Sequence, residues 1–168
     1  MDAVDRHEAV ETSPEPRILR TIRPVGVDEL FLCIPLGHAF YEEASLPGHL
    51  LPRVFVETWH QFLSSGVGQI LGLWQDGTLI GAIGGLLARD PNTGQLMAQE
   101  LFWFVAPEVR TGMGAIRLYK AFERWARTQG ALRLVMTALA GSYAERLGAV
   151  YRTLGFRLLE TNYVKDLP

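Results

Sequence analysis

Val105-Ala-Pro-Glu-Val-Arg-Thr-Gly-Met-Gly-Ala115 follows an apolar run, Leu101-Phe-Trp-Phe-Val105, and precedes an amphipathic segment that ends near Gln129. A short loop containing Gly112, Gly114 and Ala115 therefore lies between a strand and a helix. Small residues there expose backbone N–H groups at the helix N-terminus, where unpaired donors and the helix dipole favour an anion. Arg110 adds a guanidinium that can grip phosphate. A pyrophosphate is the ligand this chemistry suggests. The loop lacks Gly-x-x-x-x-Gly-Lys-Ser/Thr, and Arg117 stands where a Gly-x-Gly-x-x-Gly motif would place its third glycine, so neither common nucleotide loop applies.

Elements on both sides of this loop can be read from periodicity. Downstream, Ala115, Leu118, Tyr119, Phe122, Trp125 and Ala126 recur at helical spacing, and Gly130 ends the helix. Ala131–Thr137 reads as a strand, parallel to the one before the loop if the helix is a crossover. Ser142 can cap a last helix carrying Tyr143, Leu147, Val150, Tyr151 and Leu154, and the alternation from Phe156 to Val164 predicts a final strand. Upstream, Gln69–Trp74 and Thr78–Leu87 flank Gln75-Asp-Gly77, a hairpin signal, and Asp90-Pro-Asn-Thr-Gly94 leads into a strand over Leu96–Val105. A first strand is expected at Ile18–Pro24. Asp28 would cap a helix from Glu29 toward Ala44 that Pro35 and Gly37 interrupt, and a second helix is expected from Arg53 to Ser64. Residues 1–17 are polar, acidic and closed by Ser13-Pro-Glu-Pro16, the composition of a disordered tail.

The whole chain has 168 residues, enough for one domain with a full core, here expected over 18–168. Apolar residues make up 48% and the net charge is −2 from 16 basic and 18 acidic side chains, with no basic block to point to a nucleic acid. One cysteine, Cys33, excludes an intramolecular disulfide and a cysteine zinc cluster. His38, His49 and His60 lack metal-ligand spacing, so no metal is expected. No run approaches the ~18–20 apolar residues of a membrane span, and the acidic N-terminus is unlike a signal peptide. The cytoplasm is the default location.

The loop resembles the acetyl-CoA loop of the GNAT acetyltransferases, Arg/Gln-x-x-Gly-x-Gly/Ala, preceded as in that family by Val-x-Pro-Glu. Anchored on Arg110, the pattern closes on Ala115 and puts Met113 where the family prefers glycine. Anchored on Gly112 and Gly114, it puts Val109 in the place of the Arg or Gln. Near the chain's end, Val150-Tyr-Arg-Thr-Leu-Gly-Phe156 resembles the family's Phe-Tyr-x-x-x-Gly-Phe, with Gly155 suited to ending the helix. The resemblance covers about residues 18–167. It implies a single α+β domain, a mixed, mostly antiparallel sheet flanked by helices in the order β-α-α-β-β-β-α-β-α-β.

It also implies transfer of an acetyl group from acetyl-CoA to an amine, by direct attack on the thioester. Phe104, Val105, Arg110, Thr111, Gly112, Met113, Gly114 and Ala115 would bind the donor. A bulge near Phe104 would free backbone N–H near Val105 for the oxyanion. Tyr151, a phenol protonated at neutral pH, would return a proton to the leaving thiolate. Glu100 would be the base; strand alternation places it on one face with Phe102 and Phe104. Trp103 reads as core. The acceptor would be a small-molecule or peptide amine, and a homodimer fits family habit. The competing reading is a non-catalytic CoA-binding or interaction module, favoured if the bulky Met113 crowds the pyrophosphate.

Overall fold

The computed structural model describes residues 20–110, 113–139 and 144–167. Strand β1 (Arg20–Pro24) leads into a 3-10 segment at Val27–Cys33 and then helix α1 (Ile34–Ala44). Pro35 does not interrupt a longer helix. It stands in the first turn of α1, where its missing N–H leaves no bond unmade. Asp28 lies inside the 3-10 segment, whose entry is held by Glu29 Oε2 accepting the Gly26 N–H at 2.9 Å. Helix α2 (Pro52–Ser64) precedes β2 (Gly68–Gln75), β3 (Thr78–Arg89) and β4 (Leu96–Val105). A short 3-10 turn at Pro107–Val109 precedes α3 (Gly114–Thr128), followed by β5 (Arg133–Val135) and α4 (Ala144–Thr153).

The five strands form one sheet in the order β1-β2-β3-β4-β5, antiparallel from β1 to β4 and parallel between β4 and β5. Asp76 and Gly77 both take positive φ, the turn that a two-residue Asp-Gly hairpin requires. One sheet face buries Ile70, Trp74 and Ala82 against Leu30, Cys33 and Trp59. The other buries Leu71, Leu73, Ile83 and Val105 against Leu118 and Phe122 of α3, the residues its periodicity selected. The single-domain α+β architecture is as the sequence implied.

Three expectations need correction or restriction. The bulge in β4 lies at Leu101, because Glu100 pairs with Gly85 while Phe102 pairs with Gly84. This extra residue reverses the side-chain alternation. Glu100 therefore shares a face with Trp103 and Val105, whereas Phe102 and Phe104 point to the α1–α2 side. Next, Phe156–Val164 forms no strand: the segment has no regular structure and pairs with no described strand. Alternation alone cannot make a strand without an edge to bond, and Leu158, Tyr163 and Val164 stand more than four-fifths exposed. Finally, Ile18, the acidic tail, Thr111, Gly112 and Ser142 lie outside the described residues.

The bulge depends on two glycines opposite it. A Cβ on Gly85 would clash with the Gln99 carbonyl oxygen and lie 2.5 Å from the Phe122 ring. Gly85→Ala is expected to lower the unfolding free energy by about 1–3 kcal/mol, as overpacking does. Urea denaturation measures this; a change smaller than about 0.5 kcal/mol, the scatter of a neutral surface substitution, would mean the bulge tolerates the methyl.

Candidate active site

Pairing between β4 and β5 is short. Met97, Ala98 and Gln99 register with Arg133, Leu134 and Val135, and beyond them the two strands separate. Glu100 is the first β4 residue past this point. Its side chain is 5% exposed, and Oε2 accepts the backbone N–H of Thr137 at 2.9 Å, spanning the opening. Among the described residues, none donates to Oε1. Burial pushes the Glu100 carboxyl up to about 7, and the Thr137 N–H offsets part of that rise. A carboxyl held near neutrality can take a proton at physiological pH and release it again.

Tyr151 reaches the same place from α4. Its hydroxyl donates to the Thr137 carbonyl at 2.9 Å, and its ring stacks on Trp103 with centroids 6.4 Å apart. Gly155 at positive φ ends α4, while the Phe156 N–H returns to the Tyr151 carbonyl at 2.9 Å. Burial, with a smaller contribution from Glu100, raises the Tyr151 phenol above its ordinary value, so it remains a proton donor. Thr137 thus joins the two expected residues through its backbone. Sequence reading missed it because a backbone contact leaves no side-chain signal.

At the end of β4 the Ala106 N–H bonds to the Ile80 carbonyl on β3. Peptide groups alternate along a strand, so Val105 directs its N–H and C=O toward the opposite, open side. Its carbonyl accepts Arg110 Nε at 2.7 Å. The rest of the Arg110 guanidinium makes a fork to Glu43 of α1, at 2.8 Å from Nη1 to Oε1 and 2.7 Å from Nη2 to Oε2. Arg110 also lies over the Phe104 ring, 5.0 Å from its centroid. No sequence signal identified Glu43, since the pair is separated by 67 residues.

The loop leads into α3 at Met113, whose carbonyl accepts the Arg117 N–H at 2.8 Å. The N–H groups of Gly114, Ala115 and Ile116 belong to the first turn and have no partner within the helix. Gly114 is buried against β2, where an added Cβ would lie 3.1 Å from Leu73 Cδ2. Met113 is 62% exposed. A cleft of about 990 Å³ connects these parts, with Glu100, Tyr151, Thr137, Val105, Arg110 and Ala115 among its walls.

The other residues considered from sequence lie elsewhere. His38, His49 and His60 are exposed and do not line the cleft. Cys33 borders it but is buried, and desolvation pushes its thiol up to about 12, which leaves it without thiolate character. Trp103 is half-buried between Tyr119 and Tyr151, and its buried indole N–H has no partner among the described residues.

Glu100 also has a consequence for stability. Its folded-state value near 7 exceeds the ordinary 4.5, so the unfolded chain loses this proton first as pH rises. Stability is therefore expected to fall between about pH 4.5 and 7 and then level off. Glu100→Gln should remove this contribution, flattening that part of the pH–stability curve. Thermal unfolding of both proteins across the range measures it; parallel curves would mean the carboxyl titrates normally.

The sequence and fold were compared with known proteins. Residues 37–156, well over half of the chain, match the family model described as acetyltransferase (GNAT) family. No curated protein matches the chain significantly in sequence. Among solved structures, a ribosomal-protein-alanine N-acetyltransferase from Brucella melitensis biovar Abortus 2308 superposes with a TM-score of 0.68 at 19% identity, over 89% of this chain and 100% of the other. A predicted acetyltransferase from Clostridium acetobutylicum, solved with acetyl-CoA, gives 0.73 at 11% identity, over 89% and 96%. Aminoglycoside N-acetyltransferase AAC(6')-Iy in complex with CoA gives 0.71 at 19% identity, over 92% and 99%. At these identities the structural likeness is one of fold. The family match rests on the sequence itself, and it runs from within α1 past the end of α4, including the loop, Glu100 and Tyr151: the chain belongs to the GNAT family of acetyltransferases.

Proposed function

We propose that this protein transfers the acetyl group of acetyl-CoA to an amine by direct attack of the amine on the thioester. The observation that carries this reading is the convergence of Glu100 and Tyr151 on Thr137 where β4 and β5 separate. The pyrophosphate would rest on the N–H groups opening α3, with Thr111, Gly112 and Met113 contributing loop backbone. The pantetheine arm would enter between the strands beside Phe104 and Val105. Arg110 uses three of its five N–H groups on Val105 and Glu43 and would offer the other two to a phosphate oxygen while keeping its link to α1.

Each step uses a group with suitable chemistry. Glu100, directly or through one water, removes a proton from the ammonium; a carboxyl near pH 7 suits that role. The neutral amine attacks the carbonyl carbon, and the Val105 N–H faces the oxygen that gains the charge. As the carbon–sulfur bond breaks, Tyr151 turns from Thr137 and gives its proton to the thiolate. The phenol recovers a proton from the amide nitrogen, and the proton held by Glu100 goes to solvent. Cys33 is too buried and too weakly acidic to serve as a covalent relay, which favours direct attack. Met113 is exposed and not buried beneath the loop, which supports the donor-binding reading over a non-catalytic module.

Calorimetric titration with acetyl-CoA, and with CoA for comparison, tests the donor site. Saturable micromolar binding is expected, and Arg110→Ala should weaken it roughly tenfold if a charge-assisted phosphate contact is lost. Absence of binding by both ligands would contradict the proposal. Tyr151→Phe should lower kcat by roughly 10²–10⁴-fold with a smaller change in KM, as loss of a general acid does. Equal activity would reduce Tyr151 to a packing role.

A further inference from the structure

The walls of the cleft bear on which amine is acetylated. Among its described lining residues, the carboxylates are Glu43 and Glu100 and the cations are Arg110 and Arg146. Glu43 is held by both terminal nitrogens of Arg110, and Glu100 lies at the reacting end. The cleft therefore offers no excess negative charge. Its α1–α2 side is built from Phe40, Phe55, Trp59, Phe62, Phe102 and Phe104. These rings meet edge-on or tilted: Trp59 with Phe102 at 5.4 Å, Phe55 with Phe102 at 6.3 Å, and Phe40 with Phe104 at 6.0 Å.

We infer that the acceptor is a monoamine carried on an aromatic or otherwise apolar body, an inference that rests on the acetyl-transfer reading. One ammonium can reach Glu100 while the body lies against the aromatic wall, and aromatic faces also tolerate a passing cation. The Leu101 bulge produces this arrangement: it turns Glu100 to the wedge side of β4 and leaves Phe102 on the α1–α2 side. Phe102 fits because Gly84 has no side chain; a Cβ there would lie 2.5 Å from the ring. A polycationic amino sugar would bring several ammonium groups to walls whose described residues include no free carboxylate beyond Glu100. A peptide N-terminus would bring amide groups whose hydrogen bonds an apolar wall cannot replace.

Acetylation is followed by thiol release from acetyl-CoA with 2-phenylethylamine, neamine and an alanine-led hexapeptide as acceptors. The kcat/KM for 2-phenylethylamine is expected to exceed the other two by on the order of a hundredfold, since unpaired buried charges and amides penalise them. Phe40→Ala and Phe55→Ala should each raise its KM by about tenfold through lost apolar contact, with the calorimetric dissociation constant of acetyl-CoA within about twofold of wild type. Equal or better use of neamine or the peptide overturns the inference. So does failure to acetylate 2-phenylethylamine by protein that binds acetyl-CoA. Loss of acetyl-CoA binding in the unmodified protein would defeat the acetyl-transfer reading itself, and calorimetry separates the two failures.

Discussion

The short parallel ladder between β4 and β5 is the constraint on which the rest of the site depends. Three registered pairs hold the strands together, and then they part. Backbone groups freed there must find other partners, because a buried unpaired N–H or C=O is costly. Thr137 finds two: its N–H goes to Glu100 and its carbonyl to Tyr151. The same opening that removes ladder bonds thus orders the acidic and phenolic side chains around itself. A longer β5 would satisfy the backbone and close the cleft.

The bulge at Leu101 sets which chemistry faces which partner. Without it, Glu100 would project with Phe102 and Phe104 toward α1 and α2. With it, the carboxyl meets Thr137 and Tyr151, while the phenylalanines form the opposite wall. Arg110 then joins two walls, anchoring the end of β4 through Val105 and holding α1 through Glu43.

Local chemistry was legible in the sequence wherever the cause was local. Asp76-Gly77 demanded a hairpin turn, the apolar spacing of α3 selected its buried face, and Gly155 marked the end of α4. Glu100, named from strand position, and Tyr151, named from a motif, meet at the Thr137 backbone. The facing of Glu100 was misread because a bulge shifts the two-residue period, and its cause lies across the sheet in the adjacent Gly84 and Gly85. That pair of glycines within an apolar strand was the available signal. The predicted final strand failed for a different reason, since alternation shows what a strand needs but not whether a neighbouring edge will receive it. Thr137 and Glu43 act through backbone geometry and a distant ion pair, neither of which leaves a pattern along the chain.

The separation of β4 from β5 is tested most directly by a crystal structure with acetyl-CoA bound. The thioester is expected between the two strands, its carbonyl oxygen within hydrogen-bonding distance of the Val105 N–H and its sulfur beside the Tyr151 hydroxyl. A thioester placed elsewhere, with Glu100 and Tyr151 still closed on Thr137, would contradict it.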